Sequence, residues 1–421
     1  MKENIYPAIN ERLLSCTLGN GLRICVIPKP GFHKAYAMLA VNYGSIDACF
    51  ESGGNVLIPP KGVAHFLEHK VFEQPDGGNA LQVFAQTGAS PNAFTSRNMT
   101  AYYMSCTEHF RRNLEVLLDF VTTPYFTDEN VKKEQGIIGQ EIQMVNDNPY
   151  HCILDDLMAA LYQTHPAKDS IIGTHDSIGA ITRDTLFSCY QAFYIPSNMV
   201  LVVAGDVDAD EVRDTAEAML DREFRKPPAR DYGSEPAGPA QRYVEKRMEV
   251  NLPVFAVGFK ASVDTQGESG QWNRMVAELA MEVLAGTSSR LYTDLYQKGL
   301  INKQFGAGPM FFPGSVCALA SGESKDPQMI QEALLDEAAR LTRTADAAYF
   351  ERVKKACYGM KLRVLDSFDA LCRETAEGYH SGCDFLASLA DFETITQEDV
   401  SAFLTKVIRE DQLAMATVLP K

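Results

Sequence analysis

Hydrophobic and polar positions in the first half of the chain switch repeatedly between the two-residue period of strands and the longer period of helices. Two apolar runs flank Gly19-Asn20-Gly21 and predict a β-hairpin, because this sequence is typical of a tight turn. The predicted strands are 13–17, 22–27, 36–41, 89–95, 101–106 and 199–204. The predicted helices are 61–73, 110–122, 128–145, 152–161 and 182–193. This alternation indicates an α+β fold.

The segment 225–241 interrupts this pattern close to the midpoint of the chain. It contains four prolines and two glycines and cannot sustain a helix or a strand. We therefore expect a proline-rich linker at 225–241, which joins a first domain at 1–224 to a second domain at 242–421.

An internal repeat relates these two domains. The sequence F-T-D-E-N-V-K-K-E at 126–134 is echoed by Y-F-E-R-V-K-K-A at 349–356, with an offset of 222 positions (353 − 131). The sequence I-T-R-D-T-L at 181–186 is echoed by I-T-Q-E-D-V at 395–400, with an offset of 214 positions (395 − 181). Two matches in the same order predict a duplicated α+β unit of about half the chain.

Composition narrows the class of protein. The 421 residues are too many for one core, and a net charge of −16 would repel a nucleic acid backbone. No apolar run approaches the roughly 20 residues of a membrane-spanning helix, so we expect no membrane contact. The ten cysteines form no C-x-x-C pair and are expected to be reduced, which together favours a cytoplasmic protein.

A histidine-rich segment carries the candidate chemistry. His65, Glu68 and His69 stand at positions i, i+3 and i+4, so a helix would present all three on one face. Two imidazoles one turn apart suit zinc, and a carboxylate beside them can remove a proton from water. The pattern H-x-x-E-H is a zinc peptidase signature. Taken alone, it is also compatible with a surface helix that bears two solvated histidines.

A second segment, at 134–141, carries two carboxylates that could supply a third metal ligand. Glu134 and Glu141 lie seven residues apart and hence on one stripe of a helix. Alone, such a pair is typical of a solvated helix face. Beside the H-x-x-E-H motif, we interpret the pair as one further metal ligand and one carboxylate that hydrogen-bonds to a ligand without touching the metal.

The chain resembles a known family in the order of its motifs. H-x-x-E-H, then G-A-S-P-N-A-F-T-S, then T-A-Y and V-K-K-E-x6-E are similar to the pitrilysin/insulysin (insulinase, or inverzincin) family of zinc peptidases. The length resembles that of mitochondrial processing peptidase subunits. The text G-V-A-H-F-L-E-H-K-V-F-E-Q-P-D-G resembles the bacterial YmfH-type branch in particular.

This resemblance implies a zinc-dependent metalloendopeptidase that holds an unfolded peptide in a chamber between two related α+β halves. Each half is expected to be a mixed, largely antiparallel sheet packed with helices, and the halves to form a clamshell. By resemblance, His65, His69 and Glu141 match the ligands of one zinc ion per chain. Glu68 matches the general base, and Glu134 matches the outer carboxylate. The first domain would be catalytic and the second a homologue without metal.

The resemblance also implies where the substrate binds. The segment 88–95 matches the edge strand to which the main chain of a peptide adds as a further strand. The substrate-binding residues expected there are Ala89, Ser90, Asn92, Ala93 and Phe94.

The second domain departs from the family pattern. Tyr296 and Asn302 stand where many relatives have an Arg and a Tyr that contact the substrate. One hypothesis is that a paralogous subunit supplies this pair in a heterodimer, and a homodimer is also compatible with the sequence. The other is that Tyr296 or Arg290 substitutes within this chain. A further alternative is a non-catalytic peptide-binding or assembly subunit, and a metal-dependent hydrolase of small molecules is the weakest reading.

Overall fold

The first half of the chain builds a seven-stranded sheet from strands spread over its whole length, in a computed structural model that describes residues 1–74, 78–344 and 346–421. The strands are β1 (Lys2–Tyr6), β2 (Glu11–Thr17), β3 (Arg23–Pro28), β4 (Ala35–Val41), β5 (Phe50–Ser52), β6 (Asn55–Leu57), β7 (Ser90–Thr95), β8 (Thr100–Cys106) and β9 (Met199–Gly205). The α-helices are α1 (Val63–Val71), α2 (Ala80–Gln86), α3 (Phe110–Thr122), α4 (Asp128–Asn146), α5 (Pro149–Leu161), α6 (His175–Gly179), α7 (Arg183–Phe193) and α8 (Ala209–Met219). Strands β5 and β6 pair separately as a hairpin.

The second half builds a five-stranded sheet. Its strands are β10 (Tyr243–Met248), β11 (Val254–Ser262), β12 (Gly306–Phe312), β13 (Ser315–Glu323) and β14 (Leu413–Pro420). Its α-helices are α9 (Gly267–Ala285), α10 (Arg290–Gln297), α11 (Pro327–Arg343), α12 (Ala347–Arg363), α13 (Phe368–His380), α14 (Phe385–Asp391) and α15 (Gln397–Val407).

Strand order shows that the two halves repeat one plan. The first sheet runs β1-β2-β3-β9-β4-β8-β7, and the second runs β10-β14-β11-β13-β12. From β3 onward the first sheet has the same sequence of neighbours as the second. In each half the earliest of these strands lies parallel to the last, and the other neighbours are antiparallel. The predicted α+β fold of two homologous halves with mixed, largely antiparallel sheets is confirmed.

Two helices exchange places between the halves. Helix α5, from the first half, buries Leu157 and Leu161 against the second sheet. Gly258 of β11 permits this close approach, since a Cβ there would lie 2.8 Å from Leu161 Cδ1. Helix α13, from the second half, buries Leu371 and Ala376 against the first sheet. Each half therefore completes the hydrophobic core of the other.

The proline-rich segment 225–241 packs firmly against both halves. Arg230 Nε lies 3.1 Å from Asp47 Oδ1, and the Asp47 carboxylate is buried. Glu235 accepts hydrogen bonds from the backbone N–H groups of residues 163–165 and pairs with buried Lys260 of β11. These contacts make the segment a strap between the two sheets. The domain boundaries 1–224, 225–241 and 242–421 stay a prediction.

Most predicted elements of the first half are confirmed within a few residues. The predicted helix 110–122 coincides with α3, and the Gly19-Asn20-Gly21 turn joins the antiparallel strands β2 and β3. The repeat also falls on equivalent elements. Helices α4 and α12 carry the first pair of matching segments, and α7 and α15 the second, each of the latter followed by an inner strand of its sheet.

Candidate metal centre

Helix α1 presents the H-x-x-E-H residues from a tightly fixed start. Gly62 precedes it with φ of 90°, and a Cβ at that position would lie 2.7 Å from the Ile172 carbonyl oxygen. Only glycine meets both conditions without strain. The apolar side chains of Phe66 and Leu67 are fully buried on the opposite face. Core packing therefore fixes the direction in which the polar face points.

Helix α4 brings the second acidic segment to the same place. Its start is closed by a reciprocal pair of hydrogen bonds between Thr127 and Asn130. Ile138 and Ile142 bury its inner face in the core of the first half. Glu134 and Glu141 consequently project from one stripe toward α1, as the seven-residue spacing predicts.

The three expected metal ligands converge. His65 Nε2 lies 3.6 Å from Glu141 Oε1, and His69 Nε2 lies 3.7 Å from Glu141 Oε2. All candidate ligand atoms of this trio lie within 4.8 Å of one another. Zinc with bond lengths of about 2.1 Å sets neighbouring ligands about 3.4 Å apart in a tetrahedron. The donor set and its spacing therefore fit a zinc ion. Within the described residues this is the one such cluster.

The protonation of the two histidines is set by different neighbours. Burial lowers the pKa of His65 to about 3, so this imidazole is neutral and its nitrogen lone pair is available at pH 7. Burial also acts to lower the pKa of His69, but the hydrogen bond to Glu134 and the negative charges of the nearby carboxylates together raise it above its ordinary value. Glu134 Oε1 lies 3.0 Å from His69 Nδ1. Glu134 thereby favours the tautomer with the proton on Nδ1, which leaves the lone pair of Nε2 directed toward the other ligands.

The carboxylate of Glu68 stands beside this trio and is held by a residue that the sequence motif did not single out. The Thr95 hydroxyl donates a 2.6 Å hydrogen bond to Glu68 Oε2. Burial raises the pKa of Glu68 above its ordinary value. Thr95 is the last residue of β7, so the edge strand and the expected base are connected directly. The signal available in the sequence was its place in the A-F-T-S segment.

The expected substrate strand lies at the edge of the first sheet. Ser90, Asn92, Ala93 and Phe94 belong to β7, and Ala89 immediately precedes it. One edge of β7 pairs with β8, and no other described strand pairs with its second edge. This edge offers backbone groups that no second strand occupies, next to α1, although the Ala93 N–H donates to Asn92 Oδ1.

The second half contributes a side chain to this edge. At the positions of α12 that the repeat aligns with Glu134 and Glu141, it has no residue that could bind a metal through oxygen. Arg373 of α13 stacks over the Phe94 ring, 5.2 Å from its centroid. The repeat places Ala356 and Arg363 of α12 opposite Glu134 and Glu141. Their side chains offer no metal-binding oxygen.

The three residues weighed for a substrate role in the second half make contacts of their own. Tyr296 is 47% exposed and stacks on Tyr292. Arg290 is largely exposed and pairs with Asp294, 3.4 Å away. Asn302 donates a 2.5 Å hydrogen bond to Glu323. No contact between any of them and the metal cluster is found among the described residues.

A cavity of about 380 Å³ opens between the halves and is lined by Ser96, the residue that follows β7. Residues 96–98 of the first half and 309–312 of the second half line it, with charged side chains from α9, α12 and α13. A peptide on the β7 edge would therefore run beside a space enclosed by both halves.

Comparison with known proteins yields matches over nearly the whole chain. The family model described as insulinase (peptidase family M16) matches residues 24–175, and that of the peptidase M16 inactive domain matches residues 180–357. The zinc protease YmfH of Bacillus subtilis is 36% identical over 99% of this chain and 98% of its own length. A mitochondrial-processing peptidase subunit beta of Arabidopsis thaliana is 28% identical over 68% of this chain and 54% of that protein.

Solved structures give the same result. The crystal structure of an M16-like peptidase from Alicyclobacillus acidocaldarius has a TM-score of 0.93 and 37% identity, covering 98% of this chain and 99% of that one. In addition, none of the helices among the described residues is long and apolar enough to cross a membrane.

Proposed function

Since the chain belongs to the insulinase family of zinc proteases, peptidase family M16, we propose that it is a zinc-dependent metalloendopeptidase of unfolded peptides. The convergence of His65, His69 and Glu141 within 4.8 Å is the observation that carries this proposal. We assign these three residues as the ligands of one zinc ion per chain.

Zinc, when bound, would polarise the scissile carbonyl and acidify a water molecule. Glu68 is the group of this chain that would take a proton from the attacking water and pass it to the leaving amine. Its raised pKa suits this exchange, because a carboxylate of higher basicity accepts the proton more readily. The hydrogen bond from Thr95 would hold its second oxygen in place. Glu134 would orient His69.

The substrate would bind by adding a strand to β7. Its free edge supplies backbone donors and acceptors next to α1, and Thr95 links the same strand to Glu68. We assign Ala89, Ser90, Asn92, Ala93 and Phe94 to this binding edge. Backbone pairing tolerates many side chains, which suits a peptidase of loose sequence preference.

A paralogous subunit is the proposed partner. Tyr296 and Asn302 stand in place of the Arg and Tyr expected in the second half. Among the residues that the structure describes, neither of them contacts the metal cluster. The mitochondrial-processing peptidase relative is itself named as a subunit. If a paralogue supplies the pair, the purified chain will bind zinc and cleave peptides poorly. Vigorous cleavage by the lone chain at physiological zinc concentration would refute the heterodimer.

The second candidate function is a non-catalytic peptide-binding or assembly subunit of the same family. The family model that matches residues 180–357 is named for an inactive domain. The complete set of His65, Glu68, His69 and Glu141 favours the peptidase, because a purely structural role would not require it.

The decisive experiment measures turnover of a quenched peptide mixture by the zinc-loaded chain and by its Glu68→Gln variant. We expect Glu68→Gln to retain zinc and to lose about 10²–10⁴-fold in turnover, the usual contribution of a general base. Where the lone chain is weak, the same pair is compared in the presence of the paralogous subunit. A Glu68→Gln protein as active as the parent chain would refute the assignment of the base.

A further inference from the structure

A buried lysine lies behind the metal centre. Lys70 follows His69 on α1, and its side chain is fully buried. Its Nζ lies 2.6 Å from Glu73 Oε1 and 3.7 Å from Glu134 Oε2. Burying an ammonium group is costly unless carboxylates compensate it, so this position has a specific electrostatic requirement.

The same carboxylate touches both the lysine and a ligand. Glu134 directs Oε1 to His69 Nδ1 and Oε2 toward Lys70 Nζ, and its side chain is itself buried. Rotation of the Glu134 carboxylate would break its 3.0 Å contact with His69 or lengthen its 3.7 Å ion pair with Lys70. The chain of contacts therefore runs from Lys70 through Glu134 and His69 to the site where the ligands converge.

We propose that Lys70 is a positioning residue of the metal centre, which locks the Glu134 carboxylate so that His69 Nε2 stays aimed at the metal. The role rests on the proposed zinc site and extends it by one layer of residues. Glu73 is the second counter-charge of Lys70 and leaves the ammonium balanced between two carboxylates.

The sequence alone gave no reason to single out this lysine. A lysine side chain is expected to reach solvent, because burying its ammonium group is costly. Here the side chain lies inside the protein, with Nζ 3.7 Å from Glu134 Oε2 of α4. Glu134 and Glu73 make an otherwise unfavourable burial acceptable.

A double-mutant cycle tests the proposal on the full-length chain. The four proteins are the parent, Lys70→Met, Glu134→Gln and the double variant. Metal affinity is measured by chelator competition, and the absorption spectrum of the cobalt-substituted protein reports ligand geometry. We expect Lys70→Met to weaken metal binding by about 10-fold, the lower end of the effect of outer-layer partners. We also expect it to alter the cobalt spectrum.

The coupling between the Lys70 and Glu134 substitutions shows whether Lys70 positions Glu134 or only stabilises the fold. If Lys70 acts through Glu134, Lys70→Met will add no further loss of metal affinity in the Glu134→Gln background. Lys260→Met is the matched control, since Lys260 of β11 is a lysine 2% exposed that pairs with Glu235 of the proline-rich segment. It should reduce thermal stability and leave metal affinity and the cobalt spectrum unchanged.

The proposal is refuted by an unchanged metal affinity in folded Lys70→Met, by additive losses in the cycle, or by an equal loss of affinity in Lys260→Met. If Lys70→Met does not fold, Lys70→Gln replaces it in the same cycle, and the same outcomes apply. A parent chain that binds no metal would instead refute the proposed function, so the two failures are distinguishable.

Discussion

Helices α4 and α12 occupy equivalent places in the two halves, and they differ in the side chains that we assign to the proposed metal centre. Helix α4 carries Glu134 and Glu141, whereas the repeat gives α12 Ala356 and Arg363 at those positions. Both helices still bury an apolar stripe in the core of their own half. Packing thus accounts for the helix in the second half, although the two carboxylates of α4 have no counterpart there.

The edge strands β7 and β12 also share a sequence pattern and a place in their sheets. The sequence G-A-S-P-N-A-F at 88–94 and the sequence G-A-G-P-M-F-F at 306–312 lie 218 positions apart (306 − 88) and form the edges β7 and β12. Both strands pair on one side with the next strand along the chain. The scaffold is therefore common to the halves, and the proposed chemistry would reside in a few side chains of the first half.

The difference between the halves is tested by replacing the proposed ligand of α4, Glu141, and its counterpart on α12, Arg363. We expect Glu141→Gln to lose zinc affinity by more than the roughly 10–100-fold that outer-layer partners contribute, because a charged donor disappears. Arg363→Gln should leave zinc affinity unchanged. Chelator competition on both variants measures the effect, and equal losses would contradict the asymmetry between the halves.

The exchange of helices predicts that the halves depend equally on each other for stability. Leu157 of α5 and Leu371 of α13 are both fully buried against the opposite sheet. Replacing either by Ala should cost about 2–5 kcal/mol in the free energy of unfolding. Denaturant titration should show one cooperative transition in each case. Two separate transitions would mean that the halves fold as independent units.

The smallest effect on peptide turnover is expected at Arg290, one of the two residues that could replace the absent Arg of the family pattern. Arg290 is largely exposed and pairs with Asp294 within its own helix. Arg290→Ala should change peptide turnover by less than about threefold and stability by about 0.5 kcal/mol or less, as for other exposed helix pairs. A tenfold loss of turnover with zinc retained would restore Arg290 as a substrate contact.

Much of the fold could be predicted from the sequence because local patterns agree with the global arrangement. The apolar runs of β3, β4 and β9 and the amphipathic helix α3 follow simple periods. The exchange of α5 and α13 could not be predicted, since nothing in a helical period shows which sheet a helix will cover. The contacts of the proline-rich segment were equally hidden, because they depend on charges far apart in the chain, such as Asp47 and Lys260.

In the candidate site, too, local features could be predicted from the sequence and contacts between elements could not. The spacing of His65, Glu68 and His69 on one helix turn is a local property, so the sequence predicts their common face. The contact of Thr95 with Glu68 and that of Lys70 with Glu134 each join different elements. Such contacts depend on tertiary packing, which a motif does not encode.

Zinc content per chain, measured after dialysis against metal-free buffer, decides whether the metal centre lies in the first half. We expect one zinc ion in the parent chain, none in the His65→Ala/His69→Ala double variant, and one in His380→Ala, which removes the single histidine of the second half. Zinc retained by the double variant, or lost from His380→Ala, would contradict the assignment of the metal centre to the first half.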